Sequence, residues 1–192
     1  MADDAERSRT VLFGGGIPGN IARDDTWVFD GTSWSAGATA PAGLQARVSP
    51  GMSYDVTRAC IVLFGGELAD RTRLSDTWEL DGATWRQGPA PPSGLAARSE
   101  HAQAFDPLSG STWIFGGGDG GTAPGLNDSW LYDGVTWTPG PAAPAPLSPR
   151  HFCAMWFDQT RGRLLLFGGG DGVPRRDAWE VALTPRCRYL AA

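Results

Sequence analysis

The residues of this 192-residue chain whose types and spacing could do chemistry are three arginines, two histidines and a glutamate. Arg47, Arg98 and Arg150 each stand seventeen residues before a phenylalanine, at Phe64, Phe115 and Phe167. A planar guanidinium presents a fork of donors that matches a carboxylate, so three of them at one rim would form a collar for an anionic group, such as a carboxylate or an acidic peptide. An arginine repeated this regularly also suits a scaffold, each one bonding carbonyls or an aspartate of its own or a neighbouring repeat. Glu100 and His101 follow Arg98, and His151 follows Arg150. An imidazole beside a carboxylate has the makings of a general base, and two imidazoles the makings of a metal pair. The plainer reading is polar residues at a rim. Cys60, Cys153 and Cys187 are odd in number and include no CxxC, and neither histidine sits at ligand spacing from a cysteine pair. They read as reduced thiols, with no metal site. No catalytic constellation emerges, and no cofactor is expected.

Composition narrows the partners. The net charge is −5 and the isoelectric point near 4.9, which argues against a nucleic-acid surface. All 16 basic residues are arginine. No apolar run approaches the roughly eighteen residues a membrane span needs. The opening MADDAERSRT is acidic and polar and does not read as a signal peptide. A cytoplasmic location is the default expectation. The 27 glycines and 15 prolines would imply disorder if they were scattered. They recur at fixed places instead, beside nine tryptophans and eight phenylalanines that supply core area.

Those fixed places define a repeat. VLFGGG, VLFGG, WIFGGG and LLFGGG carry Phe13, Phe64, Phe115 and Phe167, at intervals of 51, 51 and 52 residues. A loop follows each run, and then Asp–x–Trp, ending on Trp27, Trp78, Trp130 and Trp179. Seven residues after the first three tryptophans stand Trp34, Trp85 and Trp137, with Asp-Gly between the two in each copy. The repeats run over approximately 1–46, 47–97, 98–149 and 150–192 within a single domain. A period near fifty with this much internal agreement denotes one supersecondary unit, repeated.

Inside the unit the period is that of strands. In DTWVFDG the Trp and Phe lie two apart and share a face. Asp-Gly tolerates positive φ and suits a tight hairpin turn. LLLF at 164–167 is apolar on both faces, as an inner strand covered on both sides must be. Each unit thus reads as a four-stranded antiparallel meander whose first strand begins near the arginine. One meander cannot cover its own two apolar faces, but meanders stacked around an axis cover one another. The fold expected is an all-β propeller of four blade-like repeats, with aromatic packing between blades dominating its stability.

These residues resemble kelch repeats, in the bacterial form described as galactose-oxidase-like. The likeness rests on FGG, the Asp–x–Trp strand, the Trp closing the outer strand and the Arg opening the inner one. It implies a binding or scaffold role without catalysis. The copper chemistry of galactose oxidase is not carried over, because its Tyr and His ligands find no residue-by-residue match. The first copy is incomplete, lacking the arginine and most of strand one. The last lacks Asp-Gly and the final Trp, with TPRCRYLAA as a degenerate fourth strand. The chain therefore reads as a partial or small ring, and exposed blade faces favour self-association.

In such a meander the loops between strands two and three emerge on the same side as the interblade links, and here those segments are long. Binding is expected on that face, at a channel mouth formed by Arg47, Arg98, Glu100, His101, Arg150 and His151. The partner expected is a protein or peptide. A glycan held at the channel mouth is the second reading.

Overall fold

In the computed structural model, residues 1–19, 21–120, 125–182 and 188–191 are described. Four antiparallel four-stranded sheets follow one another along the chain. The first holds β1 (Ala2–Asp4), β2 (Arg9–Phe13), β5 (Thr26–Phe29) and β6 (Trp34–Ala36), with a small ribbon of β3 (Gly16–Ile17) and β4 (Ile21–Ala22) in its loop. The second runs β7 (Gly51–Asp55), β8 (Cys60–Glu67), β9 (Arg73–Leu80) and β10 (Trp85–Gln87). The third is β11 (Ala102–Asp106), β12 (Ser111–Phe115), β13 (Ser129–Tyr132) and β14 (Trp137–Pro139). The fourth is β15 (Ala154–Asp158), β16 (Arg163–Phe167), β17 (Ala178–Ala182) and β18 (Arg188–Ala191). Innermost strand β11 packs on both β7 and β15, so successive sheets turn about an axis as the blades of a propeller. Among the described residues, no helix is long and apolar enough to cross a membrane.

At the ends one sequence expectation changes and one holds. MADDAERSRT does contain strand one, because Ala2–Asp4 pairs with Val11–Arg9. The strand is three residues long where its counterparts have five. The tail pairs β18 with β17, giving the last sheet its fourth strand. Cys187 lies outside the described residues.

The second strands are buried as their composition requires, along the whole of β8 and β12. Three apolar clusters form, one at each blade–blade joint. Each takes a leucine from the interblade link: Leu44, Leu95 and Leu147. Tryptophans lock two of the joints. Trp85 packs edge-on against Phe13 of the preceding blade, 5.2 Å between centroids, and donates its indole N–H to Thr26 Oγ1 at 2.9 Å. Trp137 repeats this on Phe64 at 4.8 Å and on Thr77 Oγ1 at 2.9 Å. Buried aromatic area of this kind is worth several kcal/mol per ring.

A second device holds the joints near the axis. The N–H of Arg47 donates to the Arg23 carbonyl of the first blade, and its own carbonyl accepts from Gly15 N–H of that blade, both at 2.9 Å. Its side chain turns the other way, to the Gly65 carbonyl and both carboxylate oxygens of Asp76 in the second blade. Arg98 and Arg150 repeat the arrangement, with Asp128 and Asp177. The same aspartates accept the indole N–H of Trp78, Trp130 and Trp179, which explains the Asp–x–Trp spacing: two residues apart in a strand share a face.

The FGG run serves this clamp. Gly14, Gly65 and Gly116 hold φ of 61–66°. A Cβ there would lie 2.5–2.6 Å from the carbonyl oxygen of the next blade's arginine. Among the described residues the fourth copy has no such neighbour, and a Cβ at Gly168 would meet only Arg175 O at 3.4 Å.

Two stability predictions follow from this packing. Trp78→Ala should cost about 3–5 kcal/mol in denaturant unfolding; a loss under about 1 kcal/mol would contradict burial in the joint. Gly65→Ala and Gly168→Ala share the left-handed backbone cost, about 1–2 kcal/mol. Gly65→Ala should lose roughly 1–3 kcal/mol more, because only there does the methyl overpack a neighbouring carbonyl.

Candidate functional site

The site is built where the chain passes from each clamp arginine into an innermost strand. The residues two positions after the arginines, Ser49, Glu100 and Phe152, hold left-handed backbones with φ of 51°, 61° and 56°. Such a conformation costs a non-glycine residue about 1–3 kcal/mol and persists where the surroundings impose it. Here the N–H of Glu100 donates to the Ser49 carbonyl at 3.1 Å, and the N–H of Phe152 to the Glu100 carbonyl at 2.9 Å. A hydrogen-bonded belt thus runs from blade to blade at the channel mouth and fixes the three side chains it carries.

The clamp arginines stand behind this belt. Arg47, Arg98 and Arg150 are each 0% exposed. Besides the bonds to their aspartates, each spends Nε on a carbonyl two residues back and Nη1 on a glycine carbonyl of its own blade. Of the two readings of these arginines, the cationic collar is the one that needs correcting: the three guanidinium groups are buried and internally paired, a geometry that accords with the scaffold. Nor do they begin the innermost strands, which start four residues later at Gly51, Ala102 and Ala154. Hydrogen bonds from Arg150 press the Asp177 carboxyl down to about 2. Burial opposes ionisation of Asp128, yet the bonds from Arg98 hold it below its ordinary value.

His101 also lies in the wall. It is 8% exposed, stands edge-on to Phe64 at 5.6 Å, and has the Gln103 side chain beside it. Burial, aided by the neighbouring Arg98 charge, lowers its pKa to about 3, so the ring is neutral near pH 7. Gly51 makes room opposite it, because a Cβ there would lie 2.3 Å from both Nε2 and Gln103 Oε1.

Glu100 and His151 do come together. They line a cavity of about 270 Å3 with Arg71, Arg73 and Asp119, on the face of the long loops. Arg73 is paired with Glu67. Arg71, in a left-handed turn at φ 70°, is exposed and has no side-chain partner among the described residues. A more apolar cavity of about 340 Å3 adjoins at His151, lined by Phe152, Val173 and Pro174. The mouth therefore offers a cation, a carboxylate and an imidazole beside an exposed aromatic ring, a set suited to holding a polar ligand.

Sequence reasoning placed Glu100 and His151 at this mouth but missed Arg71, Arg73, Ser49 and Phe152. The available signal was position, two residues past each repeated arginine, rather than residue type. Reactive chemistry finds little support in the cysteines: burial raises the thiol pKa of Cys60 to about 12 and of Cys153 to about 11. Among the described residues, no three His, Cys, Asp or Glu side chains gather where they could hold a metal ion.

The state of His101 predicts a pH dependence. The unfolded chain binds a proton as pH falls through about 6.5, whereas the folded chain does so only near 3. Stability is complete above that window and should fall by up to about 1.4 kcal/mol per pH unit on acidification through it. His101→Leu should flatten the slope between about pH 6.5 and 4.5. An unchanged slope in urea titrations would contradict the buried neutral ring.

Comparison with known proteins accords with this architecture. The sequence matches the family described as KLHDC2/KLHL20/DRC7 Kelch-repeats domain over residues 5–187. Among solved structures, one described as "Structure of YjhT" superposes with a TM-score of 0.69 at 16% identity, covering 88% of this chain and 51% of that one. This chain therefore spans about half the length of that relative, and at such low identity the likeness concerns the fold. No curated protein sequence matches. Domains of this kind commonly serve as protein-interaction scaffolds. With the profile spanning nearly the whole chain and its four repeats folded as four blades, the protein belongs to the kelch-repeat family.

Proposed function

We propose that this protein is a non-catalytic binding module that engages a protein or peptide partner through the long-loop face of its propeller. The observation that carries the reading is the cavity at the channel mouth, where Arg71, Glu100 and His151 converge on a rigid hydrogen-bonded belt. Charged groups of both signs recognise polar and charged side chains of a partner, and a pre-formed scaffold lowers the ordering cost of binding. The clamp arginines support the reading indirectly, holding the belt in place while the loops vary.

A second reading, a carbohydrate held at the same mouth, is favoured by one feature. Phe152 is 67% exposed beside His151, and an aromatic face next to hydrogen-bonding groups suits a sugar ring.

Selection from a displayed peptide library tests the two. Peptides that bind the protein should bind Arg71→Asn and Glu100→Asn at least tenfold more weakly, with unchanged melting temperature, because asparagine tolerates the left-handed backbone at both positions. Phe152→Asn should be nearly silent for peptides. Peptide binding indifferent to Arg71 and Glu100 would overturn the first reading. Signal on a glycan array that is abolished by Phe152→Asn would establish the second.

A further inference from the structure

The two outer faces of the blade series are halves of the joint that recurs inside the molecule. In the first two internal joints a phenylalanine of one blade is covered by the outer-strand tryptophan of the next, leaving Phe13 and Phe64 at 2% and 0% exposure and Trp85 and Trp137 at 3%. Phe167, the same residue in the fourth blade, is 48% exposed, and Trp34, the same tryptophan in the first blade, is 46% exposed. Each is the missing partner of the other.

A polar pair shows the same complementarity. Arg7 of the first blade reaches across to the Asp-Gly turn of the second, bonding the Asp81 carbonyl at 3.1 Å and lying over Gly82. Arg58 of the second blade lies likewise over Gly134 of the third. In the fourth blade Arg161 occupies this position, but its side chain is 65% exposed and bonds only its own Asp158, among the described residues. In the first blade the corresponding turn, Asp30-Gly31, has nothing within 4 Å of the space over Gly31. An arginine without a turn stands at one end, and a turn without an arginine at the other.

We propose that the open face of the fourth blade receives the open face of the first blade of a second copy of this chain, head to tail. The joint so formed places Trp34 of one copy on Phe167 of the other, and Arg161 over Gly31. Two elements of the internal joints are not supplied. Ala178 stands where Thr26 and Thr77 accept an indole N–H, and the first repeat brings no clamp arginine. The intermolecular joint is therefore weaker than the internal ones and reversible with concentration. Because the two surfaces differ, the contact is heterologous and either closes or continues according to its rotation.

Sedimentation of the full chain over a concentration series tests the proposal. Species of twice the chain mass or more should appear as concentration rises. Trp34→Glu and Phe167→Glu should each sediment as a monomer with unchanged circular dichroism and melting temperature, since both residues are solvent-exposed in the single chain. Mixing the two variants should restore a 1:1 dimer, because one intact face remains on each. A back-to-back pairing of like faces would not show this rescue. The proposal is overturned by a wild type that stays monomeric throughout, which would leave these faces to other blades. It is equally overturned by association that survives both substitutions, or by a mixture that stays monomeric.

Discussion

One residue per joint belongs to two blades at once. The backbone of each clamp arginine is hydrogen-bonded into the loop of the blade before it, and its side chain is bound bidentately to an aspartate of the blade after it. A buried guanidinium is costly unless its donors are met, and here carbonyls and a carboxylate give each of its nitrogens a partner. Once that constraint is imposed, much else follows. The glycine of FGG must lack a Cβ so that the arginine carbonyl can approach. The aspartate must lie two residues before a tryptophan whose indole shares its carboxylate. The residues just past the arginine are forced into left-handed turns, and those turns carry the side chains at the channel mouth.

The clamp near the axis and the aromatic packing farther out divide the work. Tryptophans and the aliphatic side chains clustered with them remove apolar area from water at each joint, a contribution without much directionality. The arginine–aspartate pair adds geometric specificity: it fixes how one sheet sits against the next, and therefore where the loops of neighbouring blades meet. The cavity lined by Arg71, Glu100 and His151 draws on the second, third and fourth repeats, so its shape depends on two such joints holding their angle.

Much of the fold was legible in the sequence because its devices repeat. Phe13, Phe64, Phe115 and Phe167 set the period, and strand spacing around Trp78 or Trp130 set the faces. The role of the arginines was legible only as a pair of alternatives. A run of letters places Arg98 at the start of a blade, but not whether its guanidinium turns toward solvent or toward Asp128, thirty residues on. The belt was invisible for a different reason. Ser49, Glu100 and Phe152 share a backbone conformation and no side-chain chemistry, and none is a residue that announces positive φ. Arg71 was missed because it lies in a loop where the four copies differ, outside the reach of any argument from repetition.

The arginine–aspartate clamp, together with the buried apolar clusters, holds each joint. A double-mutant cycle on Arg98→Met and Asp128→Asn, read by denaturant unfolding, isolates the clamp's contribution. The account predicts a coupling energy of about 2–3 kcal/mol, with the Arg98 substitution alone costing about 3–5 kcal/mol. A coupling under about 0.5 kcal/mol, with each single variant nearly as stable as the parent, would show that the blades hold together without it.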